Sequence, residues 1–132
     1  MLRIEKRFAD EMIAHSLADD PNECCGILAA QNGSVVKLYR VTNSEKSPYR
    51  FSMDPKELYQ TYREIDDNHW ELLVIYHSHT HSPAYPSATD IRLASWPEAR
   101  YIIISLQDKT APQMRAFRIV DSQVTEEELV VE

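Results

Sequence analysis

The chain has 132 residues, 43% of them hydrophobic, enough for one core of the commonest domain size, so residues 1–132 read as a single domain. A formal net charge of −7 argues against nucleic acid and anionic membranes as partners and is compatible with a neutral or locally basic protein partner. No apolar run approaches the roughly 20 residues of a membrane span, and Met1-Leu-Arg-Ile-Glu-Lys-Arg lacks the apolar core of a signal peptide, so the expected compartment is the cytoplasm.

Phe8, Met12, Ile13 and Leu17 recur at helical spacing and predict an amphipathic helix from about Lys6 to Asp19. Pro21 and Asn22 separate it from an apolar strand through Ile27, Leu28 and Ala29, with Glu23 at its mouth. Cys24 and Cys25 are the only cysteines; being adjacent, they exclude a disulfide framework and suit a reducing compartment. Small cysteines in an apolar strand read as packing, with a thiol role beside Glu23 the other reading. Asn32-Gly33 is a hairpin signal joining that strand to one over Val35 to Tyr39. Ser44 to Ser52, with Pro48, Tyr49 and Phe51, reads as a loop. A second helix starts near Asp54-Pro55, where proline suits the first helical position, with Leu58, Tyr62 and Ile65 as its apolar stripe. Glu71 to Tyr76 is a buried strand ending at two histidines, and Tyr101 to Leu106 another. Met114 to Val120 and Val124 to Val131 read as final antiparallel strands around Asp121-Ser122. Helix, hairpin, helix, strand, short helix and further strands make an α/β fold with a mixed central sheet flanked by helices. No repeat, low-complexity tract or heptad pattern accompanies it, and nothing in the sequence sets an oligomeric state.

The chemistry concentrates in His77-Ser-His79-Thr-His-Ser-Pro-Ala-Tyr-Pro-Ser87-Ala-Thr-Asp90. Residues two apart project from one face only in extended backbone, so His77 and His79 chelate from a strand and not from a helix. Ser82 to Pro86 cannot propagate a helix, and Ser87 reads as the N-cap of one carrying Asp90 in its first turn. The helix dipole keeps such a carboxylate ionised, which suits a hard ligand to a divalent cation. Taken alone, S-x-x-D is an ordinary capping box; next to a strand-end H-x-H and a short proline-bearing loop it points to a metal site. Two histidines and one aspartate make three protein ligands. Structural zinc sites are usually closed by four, whereas catalytic ones leave a position open. Such a site also needs a general base. Glu23 is a candidate, although spacing alone does not separate it from a solvated strand-end carboxylate among 21 acidic residues.

A distant glutamate followed by H-x-H, seven residues and S-x-x-D resembles the motif of the JAMM, or MPN-plus, metallopeptidase family, and every element has a counterpart here. The P-x-E-x-C-G-x-L context of Glu23, I-Y-H-S-H-T and A-Y-P-S-x-T-D are most similar to the small bacterial branch of that family. The resemblance covers almost the whole chain. It implies the JAMM/MPN fold, which is like cytidine deaminase in outline, although the C-x-x-C of a deaminase is absent. It further implies one Zn2+ per chain on His77, His79 and Asp90, Ser87 as the hydroxyl that helps hold the oxyanion, and Glu23 as acid/base. The implied substrate is the C-terminal tail of a ubiquitin-like sulfur-carrier protein, cleaved after its last glycine to release cysteine from a carrier-cysteine adduct. Two alternatives stand beside it: an isopeptidase removing ubiquitin-like modifiers from lysines, and a non-catalytic module binding ubiquitin-like tails. His81 departs from the family pattern, either as a loop histidine at the rim or as a third imidazole competing with Asp90. Tyr49 and Phe51 are candidate walls for the substrate tail or simply loop packing.

Overall fold

The computed structural model describes residues 1–132. In chain order the elements are β1 (Leu2–Ile4), α1 (Lys6–Asp19), β2 (Cys25–Gln31), β3 (Ser34–Val41), α2 (Pro55–Asp67), β4 (Glu71–His79), α3 (Ala88–Leu93), β5 (Arg100–Ser105), β6 (Gln113–Val120), β7 (Gln123–Glu127) and β8 (Leu129–Val131). Six strands form one sheet in the order β3-β2-β4-β5-β6-β7. Within this sheet only β4 and β5 run parallel. Parallel neighbours need a crossover connection, and the segment between them carries the proline loop and α3. The mixed α/β fold expected from the pattern is the one observed.

Strand alternation divides the core between the two faces of the sheet. Val74 and Tyr76 of β4 join Leu28, Ile102 and Ile104 in a cluster that takes Phe8 and Met12 of α1. Ile75 packs on the opposite face with Tyr101 and Ile119, beside a smaller cluster in which Ile27 and Ala29 meet Ile65 of α2. His77, two residues beyond Ile75, therefore faces the α2 side, and so does His79.

Local chemistry accounts for the boundaries. Asn32 and Gly33 both adopt positive φ, 52° and 80°, as the two-residue turn between β2 and β3 requires. Asp121 and Ser122 do the same between β6 and β7, at 50° and 63°. The Asp54 carboxylate accepts the Glu57 N–H at 3.0 Å and caps α2, with Pro55 at the first helical position.

Three expectations are corrected. Val124 to Val131 is not one strand: β7 ends at Glu127, and β8 leaves the sheet to pair in parallel with β1, Leu2 against Leu129 and Ile4 against Val131. A three-residue strand is too short to show a period, and its partner lies at the far end of the chain. The stripe of α2 is also rotated. Thr61 and Ile65 are buried whereas Tyr62 is exposed and leans on Trp96, ring centroids 5.1 Å apart. Leu17 of α1 is exposed as well.

Gly26 pairs with Tyr76 across β2 and β4, and a Cβ at residue 26 would overlap the tyrosine ring. That ring is fully buried and its hydroxyl is hydrogen-bonded to His15 Nδ1 at 2.7 Å, so it has nowhere to retreat. Gly26→Ala is expected to lower the unfolding free energy by about 2 kcal/mol through overpacking. Urea unfolding checks it; a change of under about 0.5 kcal/mol, the size of an ordinary surface substitution, would mean that Tyr76 has room to move.

Candidate metal centre

The strand end presents His77 and His79 on one face, both almost wholly buried, with Nε2 atoms 3.2 Å apart. Ser78 between them points to the other face, where its Oγ accepts the Cys24 N–H at 2.8 Å, while the Ser78 N–H donates to the Cys24 carbonyl at 3.2 Å. This exchange ties the end of β4 to the residue after Glu23.

The proline loop returns to the histidines. His79 Nδ1 lies 2.8 Å from the Pro83 carbonyl, which can only accept, so that nitrogen carries the proton and Nε2 is left as the inward-facing donor atom. Ser105 Oγ donates to the Ser82 carbonyl at 2.7 Å and anchors the loop on β5. The loop ends in a reciprocal cap: the Asp90 N–H donates to Ser87 Oγ at 3.0 Å, and the Ser87 N–H donates to Asp90 Oδ2 at 2.9 Å. The same Oδ2 lies 3.1 Å from His77 Nε2 and 2.9 Å from His79 Nε2. Capping box and ligand triad, set against each other on sequence grounds, are one arrangement, in which the cap aims the carboxylate.

Three donor atoms thus converge at spacings of 2.9 to 3.2 Å. Corners of a tetrahedron with zinc–ligand bonds of 2.0–2.1 Å are about 3.3 Å apart, so the triad is slightly contracted from that figure. An Nε2 lone pair facing a carboxylate oxygen at 2.9 Å requires a cation between or on them. Without a metal, that cation is a proton: burial opposes charge on His79, but Asp90 and the Pro83 carbonyl raise its pKa. The Asp90 carboxyl is held well below the usual range; burial works against this, and the two histidines and the Ser87 N–H outweigh it. Imidazole and carboxylate donors suit zinc, and His77, His79 and Asp90 form the one cluster able to hold a metal ion. The His77 ring is held by Phe51, stacked on it with centroids 4.6 Å apart at 28°, while its Nδ1 is buried without a hydrogen-bond partner.

Glu23 is not a solvated strand-end carboxylate. It is 3% exposed, and its Oε1 has no hydrogen-bond partner. Cys25 pairs with His77 across β2 and β4, so Glu23 extends the strand toward the triad. Burial raises its pKa to about 8; the charge of His79 opposes this and that of Asp90 adds to it. The Ser87 hydroxyl is exposed, and because Oγ accepts from Asp90, its own proton remains free to donate.

Other sequence candidates separate here. His81 is exposed, bonds Thr80 Oγ1 through Nδ1 at 2.8 Å and stands outside the triad. Cys24 and Cys25 are fully buried, and burial raises both thiol pKa values, so they are packing residues and not thiolates. Tyr49 is exposed, whereas Phe51 belongs to the site. A cleft of about 310 Å³ opens beside His77 and Asp90 between α2 and α3, walled by Phe51, Met53, Leu58, Leu93 and Trp96. No local pattern in the sequence marks this cleft beyond Leu93 and Trp96 around a helix too short to bury either.

A buried His-His-Asp triad at the C-terminal end of a strand in a mixed sheet, capped by its own helix, is the arrangement of a JAB1/MPN-type domain and is able to hold a metal ion. The chain matches the prokaryotic homologs of the JAB domain over residues 5–120 and belongs to that family. It is 40% identical over 129 residues to the CysO-cysteine peptidase of Mycobacterium tuberculosis, covering 96% of this chain and 88% of the relative. It is 33% identical over 103 residues to a desampylase of Haloferax volcanii, covering 73% and 74%. Among solved structures, a protein from Desulfitobacterium hafniense superposes with a TM-score of 0.88 at 38% identity over 100% of this chain and 93% of that one. A JAB1/MPN domain protein from Archaeoglobus fulgidus, at 16% identity and a TM-score of 0.64 over 98% and 97%, shares the fold. No helix is long and apolar enough to cross a membrane.

Raising Glu23 from 4.5 to about 8 in the folded state stabilises the metal-free protein below pH 4.5, and that stability is lost as pH rises through about 8. Glu23→Gln removes the loss. Its stability advantage over wild type, both metal-free, is expected to open between these pH values to on the order of 2 kcal/mol. Urea unfolding of both proteins at pH 5 and pH 8 measures it; a gap that does not change with pH contradicts burial as the cause.

Proposed function

We propose that the chain is a zinc-dependent peptidase that cleaves after the C-terminal glycine of a ubiquitin-like sulfur-carrier protein and releases cysteine from a carrier-cysteine adduct. The observation that carries the proposal is a buried three-donor set with one buried, unpartnered carboxyl beside it, in a chain 40% identical to a CysO-cysteine peptidase. His77, His79 and Asp90 would hold the ion. When bound, zinc supplies Lewis acidity that lowers the pKa of water toward about 7 and polarises a carbonyl.

The chain's own groups handle protons and orientation. Glu23, in its ionised form, takes a proton from the attacking water and returns it to the leaving amine; burial alone favours the neutral acid, and the positive charge of a bound ion would favour the carboxylate that the step needs. Ser87 donates its free hydroxyl proton to the oxyanion. The apolar cleft touches His77 and Asp90 but not Glu23, so it lies on the side away from the leaving amine and receives the acyl side, the carrier tail. Phe51 and Trp96 exclude water there. Residues 1–132 act as one catalytic domain, and two buried free thiols support a reducing, cytoplasmic setting.

Similarity to a desampylase favours a second reading, an isopeptidase acting on lysine-linked ubiquitin-like modifiers. The complete triad speaks against a binding module without catalysis.

The test is to incubate the zinc-loaded chain with a glycine-ended ubiquitin-like carrier joined to cysteine and to follow the carrier's mass. Loss of the cysteine residue is expected. Glu23→Gln should keep its zinc and lose about 10³-fold or more in turnover, and Ser87→Ala about 10²-fold. Turnover of a lysine isopeptide but not of the cysteine adduct moves the assignment to the second reading; normal turnover by Glu23→Gln removes Glu23 as the base.

A further inference from the structure

Asn43, two residues beyond β3, is buried, and its side-chain amide is saturated by four hydrogen bonds. Nδ2 donates to the Glu23 carbonyl at 3.0 Å and to the Arg50 carbonyl at 3.1 Å. Oδ1 accepts the N–H groups of Glu45 and Ser52, each at 3.0 Å. An asparagine that merely forms a turn bonds its own neighbours. This one joins the 44–52 loop to a residue 20 positions earlier in the chain.

The loop holds the site at further points. The Glu23 N–H donates to the Ser47 carbonyl at 2.9 Å, so both main-chain polar groups of Glu23 are bound by Asn43 and the loop it organises. Thr80 Oγ1, next to His79, donates to the Pro48 carbonyl at 3.1 Å. Phe51 stacks on His77. The neck is closed by Ser44, whose N–H and Oγ both donate to the Ser52 carbonyl, at 2.9 and 3.0 Å. The Glu23 carboxylate has an Oε1 without partner, so its placement follows from its main chain.

We propose that Asn43 is a positioning residue: its amide locks the Glu23 main chain and the 44–52 loop into one unit that sets the Glu23 carboxylate against the histidine pair. The inference rests on the reading of Glu23 as the base. It adds a residue that touches neither metal nor substrate, and it gives the loop a role additional to the cleft wall that Phe51 supplies.

Asn43→Asp is nearly isosteric and removes both N–H donors while keeping acceptors; Asn43→Ala removes all four bonds without burying a charge. Ser44→Ala loosens the neck and leaves Glu23 bound, so it reports loop stability alone. Four quantities are read on each: zinc per chain, thermal unfolding, kcat and KM on the carrier-cysteine adduct, and amide hydrogen exchange at Glu23. At unchanged zinc, both Asn43 variants are expected to lose about 10- to 100-fold in kcat, as misplacement of a reacting group by an ångström does. KM should stay within about threefold, because Phe51, the loop's contribution to the cleft, keeps its own stack on His77. The Glu23 amide should exchange at least about tenfold faster, with Ser44→Ala near wild type in kcat and Glu23 exchange.

A folded, zinc-loaded Asn43 variant with wild-type kcat overturns the proposal, as does an equal kcat loss in Ser44→Ala. If the wild-type chain does not turn over the adduct, the functional reading fails, and exchange alone decides the positioning claim. In wild type the Glu23 and Ser52 amides should then share one protection level, and independent exchange of the two overturns the claim even if neither Asn43 variant folds.

Discussion

One carboxylate oxygen, Asp90 Oδ2, stands within 3.1 Å of two buried imidazole nitrogens, and much of the structure around it serves to make that crowding tolerable. Buried polar groups this close are stable only when a cation sits among them. The arrangement therefore selects for a charge at that point, and a folded chain without one has to bind protons instead. Glu23 sits in the same buried environment with its own pKa raised to about 8 by burial. A proton-hungry carboxyl beside a cation-hungry triad is the electrostatic pattern expected of acid/base chemistry at a metal.

The fold meets these demands with few devices. Alternation along β4 sends Tyr76 to the α1 side, where it fills the larger core, and sends His77 to the α2 side, where it meets Asp90. The rigid core thus positions the ligands directly, since strand residues cannot drift independently of their neighbours. The capping box then uses one serine and one aspartate for two purposes, starting α3 and orienting a ligand. Because α3 is only six residues long and buries none of them, its place depends on that cap and on the loop behind it. Ser105, Pro83 and His79 hold the loop to the sheet.

Much of this was legible in the sequence because the signals are local. The α1 spacing, Asn32-Gly33, Asp54-Pro55 and the Glu71 to Tyr76 run each encode an element within a window of a few residues, and the structure places each where expected. The H-x-H and S-x-x-D spacings carried the triad for the same reason. What the sequence hid depends on distant partners. The β1–β8 pair joins opposite ends of the chain, so neither strand has a period long enough to read. Thr61 displaced Tyr62 from the α2 stripe because tertiary packing, and not hydrophobicity, chose the buried face. Spacing left Glu23 one acid among 21; only the family resemblance picked it out, and its burial is visible in the fold alone. Nothing local in the sequence singles out Asn43, and its bond to Glu23 is a tertiary fact.

The most direct measurement is metal content by mass spectrometry on the purified chain and on its His77→Ala and Asp90→Ala variants under zinc-replete conditions. About one zinc per chain in wild type is expected, falling to near zero in both variants, since losing one of three ligands leaves the others without a preorganised partner. Full zinc in Asp90→Ala would contradict the role of the capped carboxylate and turn attention to His81, and a wild-type chain that takes up no zinc would contradict the metal centre altogether.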